Sequence, residues 1–138
     1  MRITQEADYS MRVVLYLTKL GYEQKVDAAT IAEHEMLPLR FLLKLLRKLI
    51  KSGIVKSYRG VKGGYALNKP PKDINLREVI EAIDGPICIN RCITDSAYCN
   101  AKRTGICEIH NELSRIREDL VKKLEEVNFE DLKNKSKK

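Results

Sequence analysis

The sequence predicts a mainly α-helical fold with one small β-hairpin: a winged helix-turn-helix followed by a long C-terminal dimerisation helix. Three observations predict it. Apolar residues recur at helical spacing in three successive segments between residues 6 and 52. Two short alternating stretches then flank the glycine-rich run Arg59-Gly60-Val61-Lys62-Gly63-Gly64, which reads as a hairpin placed directly after the third helix. Last, Ile109, Leu113, Ile116, Leu120, Leu124 and Val127 form one apolar stripe, and an exposed stripe that regular needs a partner face.

Each element has its own signals. Residues 6–20 carry Ala7, Val13, Val14, Leu17 and Leu20 near one face, and Gly21 stops them. Asp27 is a good N-cap for a short helix through His34. Met36-Leu37-Pro38 makes a tight turn, and a third helix runs from about Leu39 to Ser52 before Gly53. Pro38 suits a first turn, where its missing N–H is not needed. Residues 54–58 and 65–67 are the hairpin strands, closed by Pro70-Pro71. Asn75 with Glu78 resembles a capping box opening a helix that ends at Gly85-Pro86. Residues 86–107 form a cysteine-bearing loop, long for an idle connection. The expected division is 1–72 for the winged helix-turn-helix, 73–132 for the loop and dimerisation helices, and 133–138 for a disordered basic tail.

Charge is unevenly spread. Residues 1–72 hold 14 Lys/Arg against 6 Asp/Glu, whereas residues 73–138 hold 12 against 13. From Met36 to Lys72 there are ten basic residues and no acidic one. Such asymmetry points to a polyanion partner, double-stranded DNA, rather than a merely solvated basic surface. In the third helix Phe41, Leu42, Leu45, Leu46, Leu49 and Ile50 supply apolar contacts. Arg40 and Lys44, one turn apart near its start, are the candidates for base edges in the major groove. Arg47, Lys48 and Lys51 are candidates for phosphates. In the wing, Arg59 suits a narrow minor groove, with Lys62 beside it. No run approaches a membrane span and the N-terminus lacks an apolar signal region, so a cytoplasmic protein is expected. No nucleotide-binding glycine motif or catalytic triad appears; no catalytic residue and no enzyme activity are expected.

In that compartment Cys88, Cys92, Cys99 and Cys107 are better read as metal ligands or redox groups than as disulfides. Three, six and seven residues separate them, and no tight two-residue pair exists, which disfavours structural zinc. Loosely spaced thiolates on one loop can wrap an iron–sulfur cluster, with His110 three residues beyond Cys107. Thiol chemistry without metal remains an alternative.

These residues resemble the IscR/NsrR group of bacterial regulators, the Rrf family. The resemblance rests on Met1-Arg2-Ile3-Thr4, Tyr9, Ile31-Ala32, Leu49-Ile50-Lys51-Ser52-Gly53-Ile54-Val55, the Arg59-Gly60-Val61-Lys62-Gly63-Gly64-Tyr65 wing, Glu78-Val79-Ile80-Glu81-Ala82-Ile83-Asp84-Gly85 and the cysteine loop. It covers about residues 1–132. It implies a homodimer on a palindromic operator, acting as a repressor and sensing redox state, nitric oxide or iron–sulfur status. It implies Cys92, Cys99 and Cys107 as cluster ligands. For the fourth, His110 matches the IscR-like pattern with a 2Fe–2S cluster. Asp8, from the partner subunit, matches the NsrR-like pattern with a 4Fe–4S cluster, and is slightly preferred. The plain alternatives are a favourable charge at a helix N-terminus for Asp8 and a solvent-facing side chain for His110. The chain departs from the pattern in a longer loop, in the extra Cys88, and in Leu43 and Lys44, where IscR-like members carry polar uncharged or acidic residues. Alternatives of function are a metal-free, thiol-based or partner-controlled regulator and, remotely, an iron–sulfur electron carrier.

Overall fold

A computed structural model of the chain describes residues 2–90, 95–98, 100–103 and 105–135. Helix α1 spans Gln5–Leu20. Thr4 caps it, accepting a hydrogen bond from the Ala7 N–H at 3.1 Å. The same hydroxyl donates to Asp84 at 2.5 Å, so the start of α1 is tied to a residue 80 positions away. Ala7, Ser10, Val13, Val14, Leu17 and Thr18 form its buried face.

Helix α2 is Ala28–Glu35, capped by Asp27, which accepts from both the backbone N–H and the hydroxyl of Thr30. It stops where Met36 enters the left-handed region at φ 56°. That turn leaves Met36 outside and drops Leu37 into the core. Helix α3, Leu39–Lys51, follows at once, with Pro38 in the capping position. Leu42, Leu45, Leu46 and Leu49 are its buried residues, spaced to line one face.

Strands β1, Val55–Tyr58, and β2, Gly64–Leu67, pair antiparallel, with Val55 opposite Leu67 and Tyr58 opposite Gly64. A bridge from Val26 to Tyr65 lays the α1–α2 loop along β2. Two glycines make this possible. A Cβ on Gly63 would lie 2.2 Å from the Tyr58 carbonyl oxygen, and one on Gly64 would lie 2.7 Å from that of Val26. The hairpin turn and the α1–α2 loop can approach this closely only without side chains there.

A 3-10 turn at Pro71–Asp73 precedes α4, Leu76–Asp84. Asn75 accepts from the Glu78 N–H as expected, but the Glu78 carboxylate pairs with Lys69 rather than closing the capping box. A second 3-10 turn lies at Ser96–Tyr98. Helix α5 is Glu108–Glu125 and α6 is Phe129–Lys135. Helix α6 corrects the expected tail: residues 133–135 are helical, and 136–138 lie outside the described residues. The return is held by the Phe129 N–H donating to the Ile74 carbonyl at 3.0 Å and the Leu76 N–H donating to that of Val127 at 3.0 Å.

One hydrophobic cluster runs through α1, α2, α3, the hairpin, α4 and Phe129. It crosses residue 72, so the winged helix-turn-helix and the start of the C-terminal half share a core. Phe129, fully buried, is its largest side chain.

Candidate nucleic-acid interface

The buried leucines of α3 set which residues face outward. Arg40, Lys44, Arg47 and Lys51 are all exposed and recur at helical spacing along one stripe. Lys48 is half-buried at the edge toward α1. The helix is held rigidly from behind. Tyr9 meets Phe41 edge-on at 5.6 Å between centroids, and the Arg12 guanidinium lies 4.9 Å over the Tyr9 ring. Arg12 also donates to the Glu35 carbonyl at 2.5 Å, joining α1 to the end of α2.

Lys44 and Lys48 are not simply outward-pointing cations. Glu6, in the first turn of α1, places one carboxylate oxygen 3.0 Å from the Lys44 ammonium and the other 3.0 Å from that of Lys48. Hydrogen bonds from those two lysines hold the Glu6 carboxyl below its ordinary range.

The wing tip projects Arg59, Val61 and Lys62, all exposed. Sequence reasoning placed Arg59 and Lys62 there but missed Lys25. Its ammonium sits 4.6 Å from the centroid of the Tyr58 ring, and Lys56 approaches the same ring at 5.4 Å. A hydrogen bond with Tyr58 raises the Lys56 pKa. The Val26–Tyr65 bridge brings Lys25 to the wing, a pairing no local pattern announces. Met36 and Leu39, at the leading end of α3, are 88% and 45% exposed. They too went unremarked, and apolar groups there suit thymine methyls.

The second candidate site is the cysteine loop. Its start is pinned twice: the Ile87 N–H donates to Glu81 at 3.1 Å, and the Arg117 Nε donates to the Ile87 carbonyl at 2.5 Å. Cys88 is half-buried and lines a cleft of about 480 Å³ with Ile3, Ile80, Asp84, Leu120 and Leu124. Cys107 is half-buried at the N-cap of α5, where its side chain makes no capping hydrogen bond. His110, also half-buried, follows in the first turn. Asp8 is exposed in the first turn of α1. Cys92 and Cys99 lie outside the described residues. Among the described residues no three His, Cys, Asp or Glu side chains gather on one point.

Along α5 the apolar stripe is unevenly covered. Leu113, Leu120, Leu124 and Val127 are half-buried, while Ile109 and Ile116 are 69% and 54% exposed. Val121, outside the predicted stripe, is the helix residue that reaches the chain's own core. Among the described residues no helix is long and apolar enough to cross a membrane.

Over residues 3–135 the chain matches Rrf2, described as an iron-dependent transcriptional regulator family. It is 39% identical over 99 residues to a protein of Rhodobacter capsulatus named as an rrf2-like HTH-type transcriptional regulator, covering 70% of this chain and 66% of that one. It is 36% identical over 92 residues to the HTH-type transcriptional regulator IscR of Photorhabdus laumondii, covering 67% of this chain and 56% of that one. Both matches span less than two thirds of the relative's length. Among solved structures, CymR, the global cysteine regulator of B. subtilis, is similar with a TM-score of 0.76 at 29% identity, over 97% of both chains. IscR of T. potens shares the fold with a TM-score of 0.72 at 23% identity, over 99% of this chain and 88% of that one.

Proposed function

Because the chain belongs to the Rrf2 family of transcriptional regulators, we propose that it is a repressor whose hold on a palindromic operator is governed by an iron–sulfur cluster. The observation that carries the DNA reading is the exposed stripe of Arg40, Lys44, Arg47 and Lys51, with its opposite face packed by four leucines. In this reading α3 lies in the major groove, with Arg40 and Lys44 leading. Arg47, Lys48 and Lys51 meet phosphates, and Arg59 and Lys62 follow the adjacent minor groove. A second copy of the chain covers the α5 stripe, which gives the twofold symmetry that a palindrome matches.

The donor types in the sequence are those that an iron–sulfur cluster takes. Cys107 stands at the N-cap of α5 without a capping bond, and cysteine sulfur is the usual ligand of such a cluster. Cys92 and Cys99 precede it in the sequence. His110, or the partner subunit's Asp8, completes the set. Asp8 is exposed on the first turn of α1, accessible to another protomer. When bound, the cluster supplies an oxidisable centre whose iron can be lost or exchanged. The chain's own residues hold the loop to α4 and α5 through Glu81 and Arg117. The loop's state and DNA affinity are then linked by a reciprocal coupling free energy.

Anaerobic purification with iron and sulfide analysis tests this reading. Bound iron and sulfide with a visible absorbance are expected, with most iron lost in Cys107→Ala. Asp8→Ala and His110→Ala, made separately, assign the fourth ligand. The likeness to CymR of B. subtilis favours a second reading, a metal-free regulator working through thiols or a partner protein. A colourless anaerobic protein with thiol-dependent DNA binding would establish that one instead.

A further inference from the structure

Glu6 is the acidic group set against the otherwise basic face of α3. Its two oxygens are shared out, one to Lys44 and one to Lys48, each at 3.0 Å. The lysines lie one turn apart on α3, and Glu6 is 38 and 42 residues away from them. The carboxylate is itself positioned: it sits in the first turn of a helix capped by Thr4, where backbone N–H groups favour negative charge. Its side chain is 29% exposed and those of Lys44 and Lys48 are 55% and 37% exposed. Ion pairs this open add little to folding stability. Their effect falls instead on whatever anion approaches α3.

We propose that Glu6 determines sequence selectivity by tethering Lys44 and Lys48, so that they cannot answer every phosphate backbone alike. The inference rests on the reading of α3 as the DNA-contacting helix. An unrestrained Lys is a long, mobile cation that pairs with phosphate on any duplex. With one carboxylate between them, the two ammonium groups carry one net charge and point where Glu6 holds them. An indiscriminate duplex gains less from them, and the carboxylate repels phosphates that approach without displacing it. Direct contacts by Arg40 are unaffected, so operator binding loses less than random binding.

The test uses the full-length protein and two probes: a random-sequence duplex and the duplex that the wild type enriches most strongly from a random pool. Affinities are measured across a salt series for wild type, Glu6→Gln and Glu6→Ala, with melting curves to establish folding. Glu6→Gln should bind the random duplex roughly three- to tenfold more tightly at low salt. Its log–log salt slope should steepen by about 0.9 for each phosphate contact released. The preference for the enriched duplex should fall. In a Lys44→Ala/Lys48→Ala background most of these changes should vanish. An unchanged slope and preference in a folded Glu6→Gln overturns the proposal. So does an equal change in the Lys44→Ala/Lys48→Ala background, which would make Glu6 a diffuse charge rather than a tether. A wild-type protein that binds neither duplex overturns the DNA reading itself.

Discussion

Helices α3 and α5 are both amphipathic, yet they solve opposite problems. Helix α3 buries four leucines against its own chain and shows five basic residues and no acidic one. Helix α5 buries only Val121, leaves Ile109 and Ile116 exposed, and mixes acidic with basic side chains. A helix with a satisfied apolar face and single-sign charge is finished as a piece of protein and lacks only a polyanion. A helix with an unsatisfied apolar face and balanced charge lacks another protein surface. The same periodicity thus carries two messages, and burial separates them.

The largest effect should come from the covered face. Leu46→Ala, at 1% exposure, should cost about 2–5 kcal/mol in urea unfolding. Ile116→Ala should change the stability of the isolated protomer by less than about 0.5 kcal/mol. Equal losses would erase the distinction between the helices. Next, Ile116→Asp should shift sedimentation from dimer toward monomer while circular dichroism keeps the helical signal. A dimer that survives places its interface elsewhere. On the basic side, Arg59→Ala should weaken operator binding and relax preference for A·T-rich flanks. Lys51→Ala should weaken all duplexes alike and flatten the salt slope by about 0.9; titrations across salt separate the two.

The smallest effect is a pH dependence. Lys44 and Lys48 hold the Glu6 carboxyl below its ordinary value of 4.5. A depressed carboxylate contributes stability that is present above the unfolded-state pKa and lost as pH falls through the folded one. Melting curves of wild type and Glu6→Gln should therefore run parallel above about pH 5 and converge in acid. Divergence that grows toward acid would reverse the sign.

Local signals announced most of the head. Asp27, Gly53 and the paired Gly63-Gly64 each mark a place where the backbone needs a cap or a missing side chain, and the helices and hairpin follow them. What sequence reading missed was tertiary. Helix α6 has only seven residues, too few for periodicity to register, and a helix that short depends on burial such as Phe129 finds. Glu6 went unremarked, because its partners lie 38 and 42 residues away. Lys25 fell outside the acid-free run and reaches the wing only through the Val26–Tyr65 bridge. On the cysteine loop, spacing singled out the thiols, but Cys92 and Cys99 lie outside the described residues.

The insertion of Phe129 into the shared core also orders events during synthesis. The chain emerges from the ribosome N-terminus first. The three helices and hairpin of the head are therefore made long before the side chain that fills the largest place in their core. Until residue 129 has been added, that core stays open along α1 and beside Ile74. A nascent or truncated chain ending before this point presents α3 on an incompletely packed body. The head thus acquires its final rigidity only after α5 has been translated, so α3 and α5 mature together.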